Sequence, residues 1–269
     1  MTRRISQPTT PWTVTAATVT GSSHNKSGLP CQDDGRWEVL QSAGTLVLVV
    51  SDGAGSGKLT QFASATAVRS CCYALRQHAA RDGVITCESV RAAASHAAQD
   101  VLKLYQIFER RPGGALRIGD FACTLVVAAV NARKLVMLQI GDGAVVTDSP
   151  EGLRCLSPVL HREYANEAEF LVTPNALAKA FTYEEDASII RGIAVMSDGV
   201  QSLGVEYPSN RPFARLFRPL FDHAVTHRAV PQTSRDESLE RFLKTDAVNE
   251  STDDDRTLIM AVREVACLD

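Results

Sequence analysis

One stretch near the start of the chain restricts its fold more than any other. Residues 46–51, Leu-Val-Leu-Val-Val-Ser, form an apolar and mainly β-branched run that predicts a buried strand. Asp52 ends this run, and glycines follow at positions 53, 55 and 57. Because glycine lets the backbone turn sharply and approach a ligand closely, a carboxylate at this strand end is well placed to bind a cation.

The same pattern occurs a second time, at residues 193–199, where Ile-Ala-Val-Met-Ser is followed by Asp198 and Gly199. Two such endings predict that two carboxylates converge on one site. Other acidic residues at strand ends or in adjoining loops are Asp33, Asp120, Asp142 and Asp254. Hard divalent cations prefer oxygen ligands. Since no Cys/His group has the spacing of a zinc site, the set predicts Mg²⁺ or Mn²⁺.

Composition and charge exclude several classes of partner. Hydrophobic residues make up 45% of the 269 residues and charged residues 22%, which is ordinary for a globular protein. A net charge of −3 gives no general affinity for nucleic acid or for an anionic membrane. No apolar stretch approaches the length of a membrane span. We therefore expect neither a nucleic-acid partner nor membrane association.

The cysteines indicate a reducing compartment. There are seven, an odd number, and no CxxC pair occurs. Several lie in apolar segments, which is typical of buried thiols and not of a disulfide framework. The first residues, Met-Thr-Arg-Arg, are not followed by the apolar region of a signal peptide. These features predict a cytoplasmic protein.

The order of predicted elements indicates an α+β fold with antiparallel sheets between helices. Residues 1–11 are expected to be a flexible lead-in to a single domain over residues 12–265, and residues 21–34 and the Gly-Asp-Gly at 141–143 are predicted to be a loop and a tight turn. Helices are predicted at residues 59–80, 86–108, 213–225 and 237–244. Strands are predicted at residues 12–20, 46–51, 123–130, 135–140, 144–147, 153–156, 176–183, 189–197 and 257–262.

Six segments, taken in order, resemble the PPM-type (type 2C) metal-dependent protein serine/threonine phosphatases, and more specifically their compact bacterial branch. Each segment alone is a weak signal, but their order from residue 12 to residue 263 is specific. Residues 164–167 also look like a segment typical of that branch. The six segments are residues 23–33, 51–55, 120–125, 140–143, 197–200 and 254–258.

The resemblance implies a central β-sandwich of two mainly antiparallel sheets flanked by helices, with two metal ions at one end. It implies that Asp52 bridges both ions, that the Gly53 carbonyl binds one of them, and that Asp198 and Asp254 complete the other shell. Asp33 would lie beside them and act through water. The implied reaction is hydrolysis of phosphoserine and phosphothreonine in proteins by a metal-activated water, so that Asp52, Asp198 and Asp254 are the catalytic candidates.

Asp120 falls where some members of this family hold a third, weaker metal ion.

Several positions depart from the pattern of this family. Many members carry an arginine that grips the phosphate ahead of the first acidic motif, and the nearest cations here are His24 and Lys26. Ala54 replaces a histidine of many eukaryotic members, and Asp255 replaces the asparagine of the final motif.

These departures leave an alternative open, namely a catalytically inactive phosphatase fold that serves as a binding or regulatory module. The retained carboxylates favour the enzyme. The resemblance further implies a phosphorylated protein as substrate, a serine/threonine kinase that opposes the enzyme, and a monomeric state.

Overall fold

The computed structural model describes residues 12–111, 115–158 and 169–264. The predicted lead-in at residues 1–11 and the segment at residues 164–167 lie outside the described residues. The strands in the described part of the chain are β1 (Thr13–Val19), β2 (Asp34–Leu40), β3 (Thr45–Ser51), β4 (Leu125–Val130), β5 (Lys134–Ile140), β6 (Ala144–Ser149), β7 (Gly152–Cys155), β8 (Phe181–Asp186), β9 (Gly192–Met196), β10 (Val205–Glu206), β11 (Arg211–Pro212) and β12 (Arg256–Val262).

Helices lie between these strands. They are α1 (Ser22–Ser27), α2 (Thr60–Asp82), α3 (Cys87–Glu109), α4 (Ala176–Lys179), α5 (Asp198–Gly204), α6 (Ala214–Thr226), α7 (Gln232–Leu243) and α8 (Asp246–Ser251). None of the described helices combines the length and the apolar character that a bilayer crossing needs.

Two five-stranded antiparallel sheets form the centre of the fold. The first sheet has the order β2-β3-β4-β5-β8, and the second has the order β1-β12-β9-β6-β7. Strands β10 and β11 pair as a separate short ribbon. The predicted α+β class, with sheets between helices, is confirmed.

The apolar sequence of β3 from Leu46 to Val50 follows from the burial of both faces of this strand. Leu46 and Leu48 face the second sheet and contribute to the core between the sheets. Val47 and Val49 point the opposite way and pack beneath helices α2 and α3. Because successive side chains of a strand alternate between its two faces, and both faces are covered here, every position of β3 from Leu46 to Val50 is apolar and buried.

Helices cover the outer face of each sheet. Small residues such as Ala67 and Ala97 let α2 and α3 pack closely on the first sheet. The Thr86 side chain caps α3 by accepting a hydrogen bond from the Ser89 amide over 3.2 Å. Phe217 of α6, with residues of α7, packs on the second sheet. The result is the expected order of helix, sheet, sheet and helix.

The register of the strands brings several chain segments to one end of the sandwich. Leu125, which begins β4, pairs with Ile140, which ends β5. In the second sheet Ala144, which begins β6, pairs with Met196, which ends β9. The turn at residues 141–143 crosses from the first sheet to the second at this end. Acidic residues that follow these strands are therefore close to one another.

Four local predictions were wrong. Residues 21–34 contain the short helix α1. Residues 176–183 begin with the helix α4, because Ala-Leu-Ala-Lys has high helix propensity, and become a strand only at Phe181. Strand β2 was missed, since it is a half-exposed edge strand with polar residues. The turn at residues 141–143 connects two sheets and does not close a hairpin.

Candidate metal centre

Three carboxylates meet at the end of the sandwich. The nearest oxygens of Asp52, Asp142 and Asp198 all lie within 4.8 Å of one another, and the three residues are half-buried. Asp52 follows β3, Asp142 lies in the turn between the sheets, and Asp198 begins α5 after β9. Residues far apart in the chain thus form one compact acidic group that is open to solvent on one side.

Asp33 lies behind this group and is only 7% exposed. No well-aligned hydrogen bond from the described residues satisfies either of its carboxylate oxygens or Oδ1 of Asp198, although Asp52, Ser197 and Thr257 lie close enough to lower the pKa of Asp33 against the effect of burial. The charge of Asp33 is close enough to raise the pKa of both Asp52 and Asp198. Buried oxygens without a donor are costly, so these atoms indicate a missing cation or proton.

Asp254 lies next to the same group at the start of β12. Its charge raises the pKa of Asp142 and of Asp198. One of its oxygens, Oδ1, accepts a hydrogen bond from the Asp255 amide over 2.8 Å. The structure therefore brings Asp254 into electrostatic contact with the acidic group formed by Asp52, Asp142 and Asp198.

The crowded carboxylates have strongly shifted pKa values. Burial, with smaller contributions from neighbouring charges, raises the pKa of Asp33 to about 6 and that of Asp198 to about 8. Burial and the charges of Asp33 and Asp198 hold the pKa of Asp52 well above its usual range. Burial also raises the pKa of Asp142. Like charges that crowd together out of water favour the protonated form unless a cation neutralises them.

No basic side chain of the described residues supplies that neutralisation. The ion pairs of this part of the chain involve none of Asp33, Asp52, Asp142, Asp198 and Asp254. All the available donors are oxygens, with neither a thiolate nor an imidazole in the three-residue group. This donor set fits small hard cations such as Mg²⁺ and Mn²⁺, which are bound by carboxylates and water.

The segment that follows Asp52 is fixed by the backbone of a neighbouring segment. The Asp52 amide donates to Oγ1 of Thr124 over 3.0 Å, and the Thr124 amide donates to the Asp52 carbonyl over 2.8 Å. A Cβ atom on Gly53 would lie 2.6 Å from Cβ of Thr60, so only glycine fits there. The Ala54 amide donates to the Ala122 carbonyl over 3.0 Å. The Asp52 backbone is therefore held rigidly at the site.

Asp255 anchors the N-terminal segment against the site. It is buried, and its two oxygens accept hydrogen bonds from the Gly21 amide over 2.7 Å and the Gln32 amide over 2.6 Å. Oδ2 also lies 2.9 Å from Nδ1 of His24. Both oxygens are thus occupied by donors. These bonds hold the backbone next to Asp33 in place.

Other predicted residues lie at the margin of the centre. Asp120 lies in the 3-10 helix Ile118–Phe121, where its Oδ2 accepts a hydrogen bond from the Arg117 amide over 2.8 Å, and it is not part of the three-carboxylate group. His24 is bound to Asp255, and Lys26 is exposed on the same short helix. Their predicted roles, a third metal ion for Asp120 and phosphate binding for the two cations, stay predictions.

Asp142 is the one member of the group to which sequence reasoning gave no ligand role. Its Gly-Asp-Gly context is common in hairpin turns, which masks a function. Both flanking glycines have positive φ angles, 86° at Gly141 and 99° at Gly143. The useful signal was the position of this turn between two apolar strands, together with its place in the series of acidic motifs.

Comparison with known proteins identifies the family. The family model for protein phosphatase 2C matches residues 20–244, and the chain therefore belongs to that family. A curated relative, serine/threonine-protein phosphatase 3 of Escherichia coli (strain K12), is 29% identical over 255 residues, which cover 93% of this chain and 98% of that protein. The predicted family and the predicted class of enzyme, a protein serine/threonine phosphatase, are confirmed.

Solved structures share the fold at low sequence identity. A bacterial serine phosphatase has a TM-score of 0.62 at 14% identity, with 93% of this chain and 97% of that chain covered. The catalytic domain of the phosphatase PstP, solved in complex with two manganese ions, has a TM-score of 0.60 at 14% identity and the same coverage. PppA of Pseudomonas aeruginosa has a TM-score of 0.59 at 15% identity, covering 94% and 98%. These similarities confirm the predicted sandwich.

The first prediction concerns Asp255, which anchors the N-terminal segment. Asp255→Asn should lower the free energy of unfolding by about 1–3 kcal/mol, because an amide group cannot accept at both positions from the three donors that now surround the carboxylate. Asp253→Asn is the matched control, since Asp253 is exposed and its recorded hydrogen bonds involve only its backbone oxygen. Urea unfolding of both variants measures the difference. Equal stability of the two variants would contradict the anchoring role.

The second prediction concerns pH. The raised pKa values of Asp33 and Asp198 mean that, without metal, the folded chain binds more protons than the unfolded chain between about pH 4 and pH 8. Its stability should therefore fall as pH rises through that window. Thermal unfolding of chelator-treated protein, compared with Asp198→Asn, isolates this contribution. The variant should gain stability relative to the wild type as pH rises, and a constant difference between them would refute the account.

Proposed function

We propose that this protein is a metal-dependent phosphatase that hydrolyses phosphoserine and phosphothreonine in proteins. The observation that carries the proposal is the acidic group of Asp52, Asp142 and Asp198, which has Asp33 and Asp254 beside it and, within the described part of the chain, no basic side chain paired with it. Membership of the protein phosphatase 2C family gives this group its chemical context.

The proposed cofactors are two Mg²⁺ or Mn²⁺ ions, held by Asp52, Asp198 and Asp254, with the Gly53 carbonyl as a further ligand. Asp142 is added to this set because its carboxylate lies in the same compact group. When bound, such ions supply a Lewis acid that activates water and neutralises charge on a phosphoryl group. A third ion at Asp120 belongs to the same proposal. The two manganese ions reported for PstP support it by similarity of fold.

The chain's own residues position the reactants in this scheme. Asp33, whose buried carboxylate lies behind the acidic group, is proposed to act indirectly, through water. His24 and Lys26, on α1 beside the centre, are the proposed phosphate contacts. Ala54 carries no proton to donate, so the leaving oxygen takes its proton from solvent, which reaches the half-buried carboxylates.

The proposed substrate is a protein that a serine/threonine kinase has phosphorylated. The curated relative, a serine/threonine-protein phosphatase, supports this assignment. We also propose that the enzyme is a monomer with one catalytic domain over residues 12–265, preceded by a lead-in at residues 1–11. We place it in the cytoplasm, because the six cysteines of the described residues are all free thiols.

The alternative function is a binding module without catalysis. Two observations favour it: the nearest cations ahead of the first acidic motif are His24 and Lys26 in place of an arginine, and Ala54 stands at the position of a family histidine. The two functions differ in a simple measurement, because only the enzyme turns over a small aryl phosphate when Mn²⁺ or Mg²⁺ is added.

The third prediction concerns Asp52. Asp52→Asn should lower turnover of an aryl phosphate by at least about 100-fold and weaken Mn²⁺ binding, because it removes a central charge of the acidic group. The metal-free variant should be at least as stable as the wild type, since repulsion from Asp33 and Asp198 is relieved. Turnover, titration calorimetry with Mn²⁺ and thermal unfolding measure the three effects.

Asp82→Asn is the control for this experiment, since Asp82 is exposed at the end of α2. Undiminished turnover in Asp52→Asn would refute the role assigned to Asp52. Absence of turnover in the wild type with either metal ion would favour the binding module.

A further inference from the structure

Two segments near the acidic centre carry only positive charge. Residues 54–69 contain Lys58 and Arg69, and residues 110–119 contain Arg110, Arg111 and Arg117, with no aspartate or glutamate in either segment. This bias is local, because the whole chain has 31 acidic and 28 basic residues.

The fold brings residues 57–59 into direct contact with residues 119 and 120. The Leu59 amide donates to the Asp120 carbonyl over 2.9 Å. A Cβ atom on Gly57 would lie 3.0 Å from the Gly119 carbonyl oxygen, so the two backbones approach closely. Lys58 lies between Gly57 and Leu59 in the chain. Arg117 immediately precedes the 3-10 helix Ile118–Phe121, which contains Gly119 and Asp120. The parts of the chain that carry Lys58 and Arg117 therefore lie side by side.

Two aromatic rings pack together in this part of the molecule. The Phe62 ring centroid lies 5.7 Å from that of Phe108, and Phe62 is 46% exposed. The Arg111 guanidinium lies 4.3 Å above the Phe108 ring, which stabilises its position by a cation–π interaction. We call the surface formed by Lys58, Phe62, Phe108, Arg110, Arg111 and Arg117 the basic surface.

The charges of the basic surface are not neutralised within the described chain. Lys58, Arg110, Arg111 and Arg117 are exposed, and none of them occurs in an ion pair with a described residue. The neighbouring carboxylates form no ion pair with these cations in the described residues: Glu109 accepts a hydrogen bond from the Tyr105 hydroxyl over 2.5 Å, and Oδ2 of Asp120 accepts one from the Arg117 amide. The surface is therefore complementary to a negatively charged partner.

The basic surface lies within reach of a substrate bound at the centre. The Gly57 amide donates to the Ala54 carbonyl over 2.8 Å, which closes a turn and keeps the two Cα atoms within about 7 Å. The Lys58 Cα is about 3.8 Å further along the chain. Lys58 therefore begins at most about 11 Å from Ala54, two residues after Asp52. An extended peptide covers this distance in about three residues.

We propose that the basic surface binds acidic side chains two to four positions from the phosphorylated residue of the substrate. This inference rests on the proposed phosphatase function and specifies its substrate class. The charge of Lys58 and of the three arginines attracts the acidic flank, and the exposed Phe62 ring offers an apolar contact beside it. The surface acts on the affinity for the peptide and leaves the chemistry at the carboxylates unchanged.

The test uses two fluorescent phosphothreonine peptides that differ only in glutamate or glutamine at these flanking positions. Binding is measured by anisotropy and turnover by phosphate release. The full-length wild type is compared with the double variant Lys58→Glu/Arg117→Glu. The matched control is Arg133→Glu, an exposed cation in the turn between β4 and β5 at the opposite end of the first sheet. A double alanine variant repeats the experiment without introducing new negative charge.

The wild type and the control should bind the acidic peptide about fivefold more tightly than the neutral one, because several weak ion pairs act together. Higher salt should reduce this preference. The double variants should lose this preference because their KM for the acidic peptide rises, and their turnover of an aryl phosphate should stay unchanged. Equal affinity of the wild type for both peptides, or an intact preference in the double variants, would overturn the proposal.

The outcomes also separate this proposal from the proposed function. Tighter binding of the glutamate peptide that is lost in the double variants, without any turnover of aryl phosphate, would reject catalysis and support the basic surface. Turnover of both peptides at equal efficiency would support catalysis and reject the basic surface.

Discussion

The fold of this molecule holds together carboxylates that repel one another, and the site depends on this constraint. Asp52, Asp142 and Asp198 come from three segments and approach within 4.8 Å, although none has a basic partner among the described residues. Such a group is unfavourable unless protons or cations neutralise it. The stability of the packed sandwich offsets this cost. The carboxylates therefore stay in position for ions and are not free to separate.

Rigid backbone around the centre maintains this geometry. Thr124 holds the backbone of Asp52 from one side, and Asp255 holds the N-terminal segment from the other. Gly199 lets α5 approach the residues just before β12, since a Cβ atom there would lie 2.1 Å from the Asp255 carbonyl oxygen. The carboxylate of Asp255 offers two acceptor oxygens to three donors, which an asparagine at this position could not do.

Much of this structure follows from sequence patterns, and the failures have physical reasons. The continuous apolar run predicted strand β3 because both faces of that strand are buried. Helix α3 was predicted because a helix that buries one face repeats apolar residues every three or four positions. The edge strand β2 and the short helices α1 and α4 bury little apolar surface, so their sequences carry weak signals. Asp142 was grouped with the other acidic residues but given no ligand position of its own, because its approach to Asp52 and Asp198 depends on a crossing between two sheets, which no local pattern specifies.

The central claim is that oxygens from distant parts of the chain hold small hard cations at the end of the sandwich. The most direct measurement is the anomalous scattering of crystals grown with Mn²⁺. The account predicts two strong peaks within coordination distance of Asp52, with Asp198 or Asp254 bound to at least one of them. Well-ordered crystals at saturating Mn²⁺ that show no peak beside Asp52 would contradict it.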